Sequence, residues 1–139
     1  MVKRTKTEYE PLKPFKGVLQ ELEVLESEFD GKQTKQIHMG IEPIEKEAIQ
    51  QLKDSKTGMV HNYVSITAKT EDDSVPDGSN LDRYLCEIEA VLPEAKDLEN
   101  YMEAFELLKG KEIKWTYKKL GKAFKQYEGK SYYVPQAVL

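Results

Sequence analysis

The chain has 139 residues, of which 39% are hydrophobic and 33% are charged, and its formal net charge is −4. This length fits one domain with its own core, and a single cysteine excludes a disulfide framework within the chain. Since no apolar run is long enough for a membrane span and the basic start lacks the apolar stretch of a signal peptide, we expect a cytoplasmic protein with no membrane partner.

The first third of the chain predicts a flexible arm followed by a long hairpin. Residues 1–14 are polar, contain two prolines and show no period, so we expect an N-terminal arm before a single domain over 15–139. The segment 15–29 fits both a helix and a strand. The Asp-Gly turn signal behind it and the alternation over 36–44 favour two long strands. The helical alternative predicts an ordinary α+β domain.

The middle of the chain predicts a short helix, a third strand and an amphipathic helix. Apolar spacing indicates a helical insertion at 45–53, and 59–68 alternates as a strand. After an acidic loop, Ser79 stands three residues before Asp82, a variant of the capping box, ahead of apolar residues at helical spacing. Pro93 interrupts this helix, and a second apolar stripe follows it, so the two stripes are either one broken helix or two helices.

The last third of the chain reverses the sign of the charge. From Lys109 to Tyr133, eight lysines stand against two glutamates, a net charge of +6, so the rest of the chain carries −10. Aromatic residues are interleaved with these lysines. Cations follow a phosphate backbone and aromatic faces stack on bases, so this mixture is typical of a protein that binds single strands. Because the whole chain is acidic, any such binding must be local.

Within this segment the pattern predicts two more strands. Over 111–120 the residues alternate, and we expect Trp115 in the core rather than on the surface. The segment 121–130 is a predicted loop. The last strand runs over 131–139 and contains Pro135, which lacks an N–H group and belongs at an edge or a bulge. Because successive side chains alternate, one of the two tyrosines that open this strand should face inward.

The predicted order, strand, strand, strand, helix, strand, strand, is that of the OB-fold, a five-stranded Greek-key barrel. The stretches FKGVLQELEV, FDGKQ, IHMGIEPI, VPDGSNLDRYL, LLKGKEIKWTYKKLG and SYYVPQAVL resemble small OB-fold proteins encoded in archaeal and phage genomes, which are similar to single-stranded DNA-binding proteins. We therefore expect a mainly β fold with a helical insertion between strands three and four. The helix at 45–53 and the long double-helix stretch before Lys109 depart from the simplest version of the family pattern. The matching positions are Gly78, Ser79, Leu81, Leu108, Gly110, Lys111, Trp115, Tyr132, Tyr133, Val134 and Pro135.

OB-folds bind ligands across strands two and three, between the loops that join strands one and two and strands four and five. The resemblance therefore implies a site on the outer face of the second and third predicted strands, where Tyr63 is the best candidate for stacking on a base. A basic and aromatic loop between strands four and five would close over the ligand. The predicted nucleic-acid-binding residues are Lys32, Lys35, His38, His61, Tyr63, Lys118, Lys119, Lys122, Phe124, Lys125, Tyr127 and Lys130.

No group of residues in the sequence is typical of catalysis, metal binding or a cofactor site. The two histidines lie in different predicted strands, and the glycines form no phosphate-binding motif, so we expect neither an enzyme nor a metal or cofactor. We expect single-stranded DNA binding with little sequence preference, with RNA left open. The alternative is a protein-interaction module of a replication, repair or viral assembly, whose helices dock a protein partner or a second copy of the chain.

Overall fold

The described part of the chain forms one antiparallel sheet and three α-helices. A computed structural model describes residues 12–29, 31–53, 57–66, 75, 78–120 and 131–139. In chain order the elements are β1 Phe15–Phe29, β2 Lys32–Pro43, α1 Lys46–Gln51, β3 Val60–Ile66, α2 Asn80–Val91, a 3₁₀ turn Pro93–Asp97, α3 Tyr101–Leu108, β4 Glu112–Lys119 and β5 Ser131–Val138. The mainly β prediction and the choice of a strand for 15–29 are confirmed, and the two apolar stripes form two helices.

The five strands are ordered β3-β2-β1-β4-β5, and all neighbours run antiparallel. In the described residues β3 and β5 form no ladder with each other, so the sheet is not closed. β1 pairs with β2 over nearly its full length but with β4 only over Phe15–Val18. The β1–β2 hairpin therefore continues beyond the core, and its Val24 and Leu25 side chains are exposed.

The inner face of the sheet carries the first part of the core. Trp115 is fully buried, which confirms its predicted position in the core. Its Nε1 donates to the Gly17 carbonyl at 3.1 Å. Gly17 is a close-approach position, since a Cβ there would lie 2.9 Å from side-chain atoms of Ile41 and Phe15. The large inward residues around them are Leu19, Ile37, Met39, Val64 and Ile113. Alternation along each strand thus builds this layer as the sequence indicates.

The helices add a second apolar layer beside β3 and β5. At the start of α2 the Ser79 hydroxyl accepts from the Asp82 N–H at 3.1 Å, and the Asp82 carboxylate accepts from Gly78 N–H at 2.8 Å. The predicted cap is confirmed, although the carboxylate reaches one residue farther back than in a capping box. Tyr84 of α2 stacks on Phe105 of α3 with ring centroids 5.3 Å apart. This pair packs α2 against α3.

Residues 132–135 of the final strand are buried on both faces. Tyr133 points toward the sheet interior and meets Phe15 edge to face at 5.9 Å, while Tyr132 meets Tyr84 of α2 at 6.0 Å. The expectation of one inward tyrosine is right, but α2 covers the other one as well. Pro135 lies on an edge strand next to a register shift, as predicted. β5 can accept a proline there because its outer edge needs no ladder donor.

The packed part of the chain begins before Phe15. Leu12 is buried, and its N–H donates to the Tyr133 hydroxyl at 3.0 Å. Leu12, which the sequence assigns to the arm, is therefore packed against the domain, where its backbone bonds a side chain near the start of β5. The rest of the predicted arm, residues 1–11, lies outside the described residues.

Candidate functional site

The edge strands β3 and β5 approach each other, and one buried side chain joins them. Asn62 of β3 donates through Nδ2 to the Tyr133 carbonyl at 2.9 Å and accepts from the Tyr133 N–H through Oδ1 at 3.2 Å. Tyr84 donates its hydroxyl proton to the same carbonyl at 2.6 Å and accepts from Asn62 at 3.2 Å. The Asn62 amide thus replaces a strand neighbour. We call this contact between β3 and β5, made by Asn62, Tyr84 and Tyr133, the seam.

The seam is a buried polar site whose groups satisfy one another. Asn62 is only 4% exposed, and Tyr84 is fully buried. Burial raises the pKa of Tyr84 well above its ordinary value, while the hydrogen bond from Asn62 acts in the opposite direction. Burial likewise raises the pKa of Tyr132, against a smaller effect of Ser65 on β3. Both hydroxyls therefore keep their protons to a higher pH than an exposed tyrosine does.

Beside the seam lies an open cavity of about 280 Å³. Tyr63 of β3 is 46% exposed and Tyr117 of β4 is 37% exposed, and both line this cavity. A second cavity of about 390 Å³ shares two lining residues, His61 and Tyr133, and extends toward α1. The other residues around the first cavity are Asn62, Ser131 and Tyr132. Two exposed aromatic rings and a polar floor thus border one opening.

Each exposed tyrosine rests on another ring. Tyr63 stacks on His38 with centroids 4.9 Å apart and planes within 22° of parallel. Tyr117 contacts Tyr133 at the same centroid distance, with the planes tilted by 52°. Packing on one side holds each ring in place, while its exposed part remains available to a flat apolar ligand. Two such rings at one opening are suited to stacking.

The two histidines form a continuous hydrogen-bonded chain on the outer face of the sheet. Glu23 Oε1 lies 2.8 Å from His38 Nδ1, and His38 Nε2 lies 2.8 Å from His61 Nδ1. This series of hydrogen bonds ends at Thr57, whose Oγ1 is 2.7 Å from His61 Nε2. The structure therefore brings His38, His61 and Tyr63 together, as the alternation predicts. His38 is only 6% exposed, so it supports Tyr63 rather than offering a stacking face of its own.

The predicted lysines divide among different surfaces. Lys35 lies on the opposite face of β2 from His38 and pairs with Glu26 at 3.3 Å. Lys118 pairs with Glu87 of α2, whereas Lys119 is exposed on the same face of β4 as Tyr117. Of Lys32, only the backbone at the start of β2 is described. Lys118 stands opposite Tyr132 and Lys119 stands opposite Ser131, so both lie next to residues that line the cavity, but Lys118 is paired with Glu87. Lys122, Phe124, Lys125, Tyr127 and Lys130 lie outside the described residues.

Two glutamates that local sequence patterns do not assign to the site make part of this surface acidic. Glu23 stands opposite His38, and Glu21 stands opposite Gly40, whose other neighbour is His61. A Cβ at Gly40 would lie 3.0 Å from Glu21 Cβ, so the missing side chain leaves room for Glu21 to lie across the strand. The outer face of β1–β3 thus carries two carboxylates beside two imidazoles.

The sequence alone does not assign three residues to the site. Tyr117 fits the inward pattern of its strand, but β4 continues past its pairing with β1, so this ring emerges from the core. Glu23 joins the histidines only through the β1–β2 register. Asn62 carries a usable signal, because an amide on an otherwise apolar inward face must find buried partners.

Comparison of the chain with protein-family models, curated proteins and solved structures finds no match. Within the described ranges, no group of three histidine, cysteine, aspartate or glutamate side chains could hold a metal ion. None of the helices in that part of the chain is long and apolar enough to cross a membrane.

Proposed function

We propose that this protein is an OB-type barrel protein that binds single-stranded DNA with little sequence preference, along β3 and into the cavity beside the seam. The observation that carries the proposal is the pair of half-exposed tyrosines, Tyr63 and Tyr117, which line one open cavity of about 280 Å³. Single strands present unstacked bases, and an aromatic ring stacks on any of them.

The order of the strands supports an OB-type barrel. β1, β2 and β3 are consecutive neighbours, and β4 returns through a long helical connection to lie beside β1, an order that agrees with a Greek key. The last strand then faces β3, where Asn62 hydrogen-bonds its backbone. Because OB-folds bind oligonucleotides across strands two and three, the position of Tyr63 agrees with the proposal by analogy of fold.

The chemistry of the tyrosines supports binding without sequence preference. A base that stacks on Tyr63 or Tyr117 contributes about 1 to 3 kcal/mol, whichever base it is. His38 and Tyr133 support these rings from behind, which lowers the entropy cost of ordering them on binding. Two stacked bases are therefore enough for micromolar affinity together with a few phosphate contacts.

The distribution of charge indicates where the phosphates run. Glu21 and Glu23 repel them from the β1 side, whereas Lys119 lies on the β4 side next to Tyr117. The lysines predicted between β4 and β5 follow Lys119 in the chain. The single-stranded DNA would thus lie with its bases toward the tyrosines and its phosphates toward the end of β4.

Fluorescence anisotropy with a labelled, unstructured oligothymidylate at low and at moderate salt tests the proposal. We expect micromolar binding at low salt that weakens as salt is added, because phosphate contacts release counterions. No binding at micromolar protein in low salt contradicts the proposal.

The second candidate function is a protein-interaction module. It is favoured by a shallow cavity of about 170 Å³ beside α2 and α3, where Leu85 and Leu98 are only partly buried. Light scattering after size-exclusion chromatography separates the two functions. A chain that ignores the oligonucleotide but forms a defined oligomer favours this module.

A further inference from the structure

The chain of hydrogen bonds from Glu23 to Thr57 dictates where its protons lie. An ionised Glu23 accepts only, so His38 must carry its proton on Nδ1 and leave Nε2 as an acceptor. His61 must then donate from Nδ1, and its Nε2 accepts from the Thr57 hydroxyl. This is the one arrangement in which two neutral imidazoles use all three contacts.

The hydrogen-bonded series from Glu23 to Thr57 can take up one further proton without losing a contact. This proton binds to His61 Nε2, which then donates to Thr57, while the hydroxyl of Thr57 turns from donor to acceptor. A second proton does not fit. It would place two N–H groups against each other in the 2.8 Å contact between His38 Nε2 and His61 Nδ1, and it would add a second positive charge there. The pair therefore accepts one proton and excludes another.

The surroundings of the pair favour this proton when a polyanion arrives. With neutral imidazoles the surface carries the charges of Glu21 and Glu23, which repel phosphate. A proton on the pair cancels one of them next to Tyr63. The charged and titratable groups around the histidines are Glu21 and Glu23 on β1, Tyr63 on β3, and Lys35 paired with Glu26 on the opposite face.

We propose that His38 and His61 form a single-proton site that takes up its proton together with the nucleic acid. This inference rests on the proposed function, whose surface the pair adjoins. By linkage, a ligand that prefers the protonated form binds best at low pH, and its affinity falls as pH rises and the pair loses its proton. With one proton involved, the affinity changes by at most about tenfold per pH unit.

NMR titration of the free protein tests the proton site without any nucleic acid. The chain contains only two histidines, so the imidazole C–H signals report on this pair alone. Between pH 8 and pH 5 we expect both rings to shift in one common transition that amounts to one protonated imidazole. Two separate transitions that amount to two protons overturn the proposal.

The same titration of the His61→Asn variant tests the number of protons that the pair takes up. The asparagine amide can turn to accept a proton from His38, so this variant should still take up one proton, as the wild type does. Independent histidines would instead give two protons in the wild type and one in the variant. Removal of both imidazoles in His38→Gln/His61→Asn should abolish the transition, provided that Trp115 fluorescence shows a folded chain.

Anisotropy titrations with rhodamine-labelled oligothymidylate then test the coupling, because thymine does not titrate in this range. We expect binding to be about fivefold to tenfold weaker at pH 8 than at pH 5.5 in the wild type, and independent of pH in the double variant. Binding that is equally tight at both pH values refutes the coupling and leaves the proposed function intact. An absence of binding at either pH refutes the proposed function, while the NMR titration still decides on the single proton.

Discussion

The two sides of the junction between β3 and β5 use similar residues in opposite ways. At the seam, Asn62, Tyr84 and Tyr133 are buried, and their polar groups satisfy one another. Beside it, Tyr63 and Tyr117 rest on neighbouring rings and leave much of their surface exposed. A tyrosine whose hydroxyl is buried and bonded holds the fold together. A tyrosine whose ring borders an open cavity presents part of that ring to a ligand, and we expect it to contribute less to stability.

The largest effect should follow from removal of the amide at the seam. Asn62→Ala leaves the Tyr133 N–H buried without its partner and creates a void, so we expect a loss of about 2 to 4 kcal/mol in the free energy of unfolding. Urea unfolding followed by the fluorescence of Trp115 measures it. Tyr63→Ala on the same strand is the matched control and should cost less than about 1 kcal/mol. Equal losses in both variants would erase the distinction between the two sides.

Truncation of the exposed tyrosines should act on binding instead. Tyr63→Ala and Tyr117→Ala each remove a stacking ring, which we expect to weaken oligothymidylate binding by about 5- to 100-fold. Ile49→Ala, at an exposed apolar position on α1, serves as the control and should bind as the wild type does. Unchanged affinity in both tyrosine variants would mean that the cavity is not the binding site.

The pKa shift of Tyr84 predicts how the seam responds to alkali. Its folded pKa lies above the ordinary value of about 10, so its stabilising effect is complete below that pH and is lost as pH rises toward the folded pKa. We expect stability to decline above about pH 10 in the wild type and less steeply in Tyr84→Phe. At neutral pH this variant should lose about 1 kcal/mol, because Asn62 still bonds the Tyr133 carbonyl. Parallel alkaline slopes for the two proteins would contradict this role of Tyr84.

The smallest effect should come from the charge beside the cavity. Lys119→Glu should weaken oligonucleotide binding several-fold at low salt and reduce the salt slope by about one. Lys96→Glu makes the same change of charge at an exposed position after α2, and we expect a smaller loss there. If the two variants behave alike, the effect of Lys119 is one of net charge and not of position.

The sequence predicts the strands and helices better than the site. The strands and helices follow from residues close together in the chain, whereas the site depends on contacts between residues far apart in it. Alternation, the Asp-Gly turn and the Ser79 cap are local patterns, and they locate the five strands and α2. The contact of Glu23 with His38 depends on strand register, and the exposure of Tyr117 depends on where β1 stops pairing with β4. Register and pairing length arise from the whole sheet. They cannot be read from a single segment.

Lys35 is a residue that the sequence predicts for the site and that the structure places elsewhere. Its charge and its place near a hairpin suggest a wall of the binding surface, yet the pleat turns it away from His38 and toward Glu26. One position along a strand changes the face. Asn62, in contrast, is visible in the sequence as an interruption of an apolar face, and its buried partners explain the interruption.

Photo-crosslinking tests most directly whether the open side of the junction binds single strands. An oligodeoxynucleotide that carries 5-iodouracil is irradiated with the protein at low salt, and mass spectrometry identifies the crosslinked residues. We predict crosslinks at Tyr63 and Tyr117, with competition by unlabelled oligothymidylate. Crosslinks confined to α2 and α3, or none above the level seen with an unfolded control, would contradict the account.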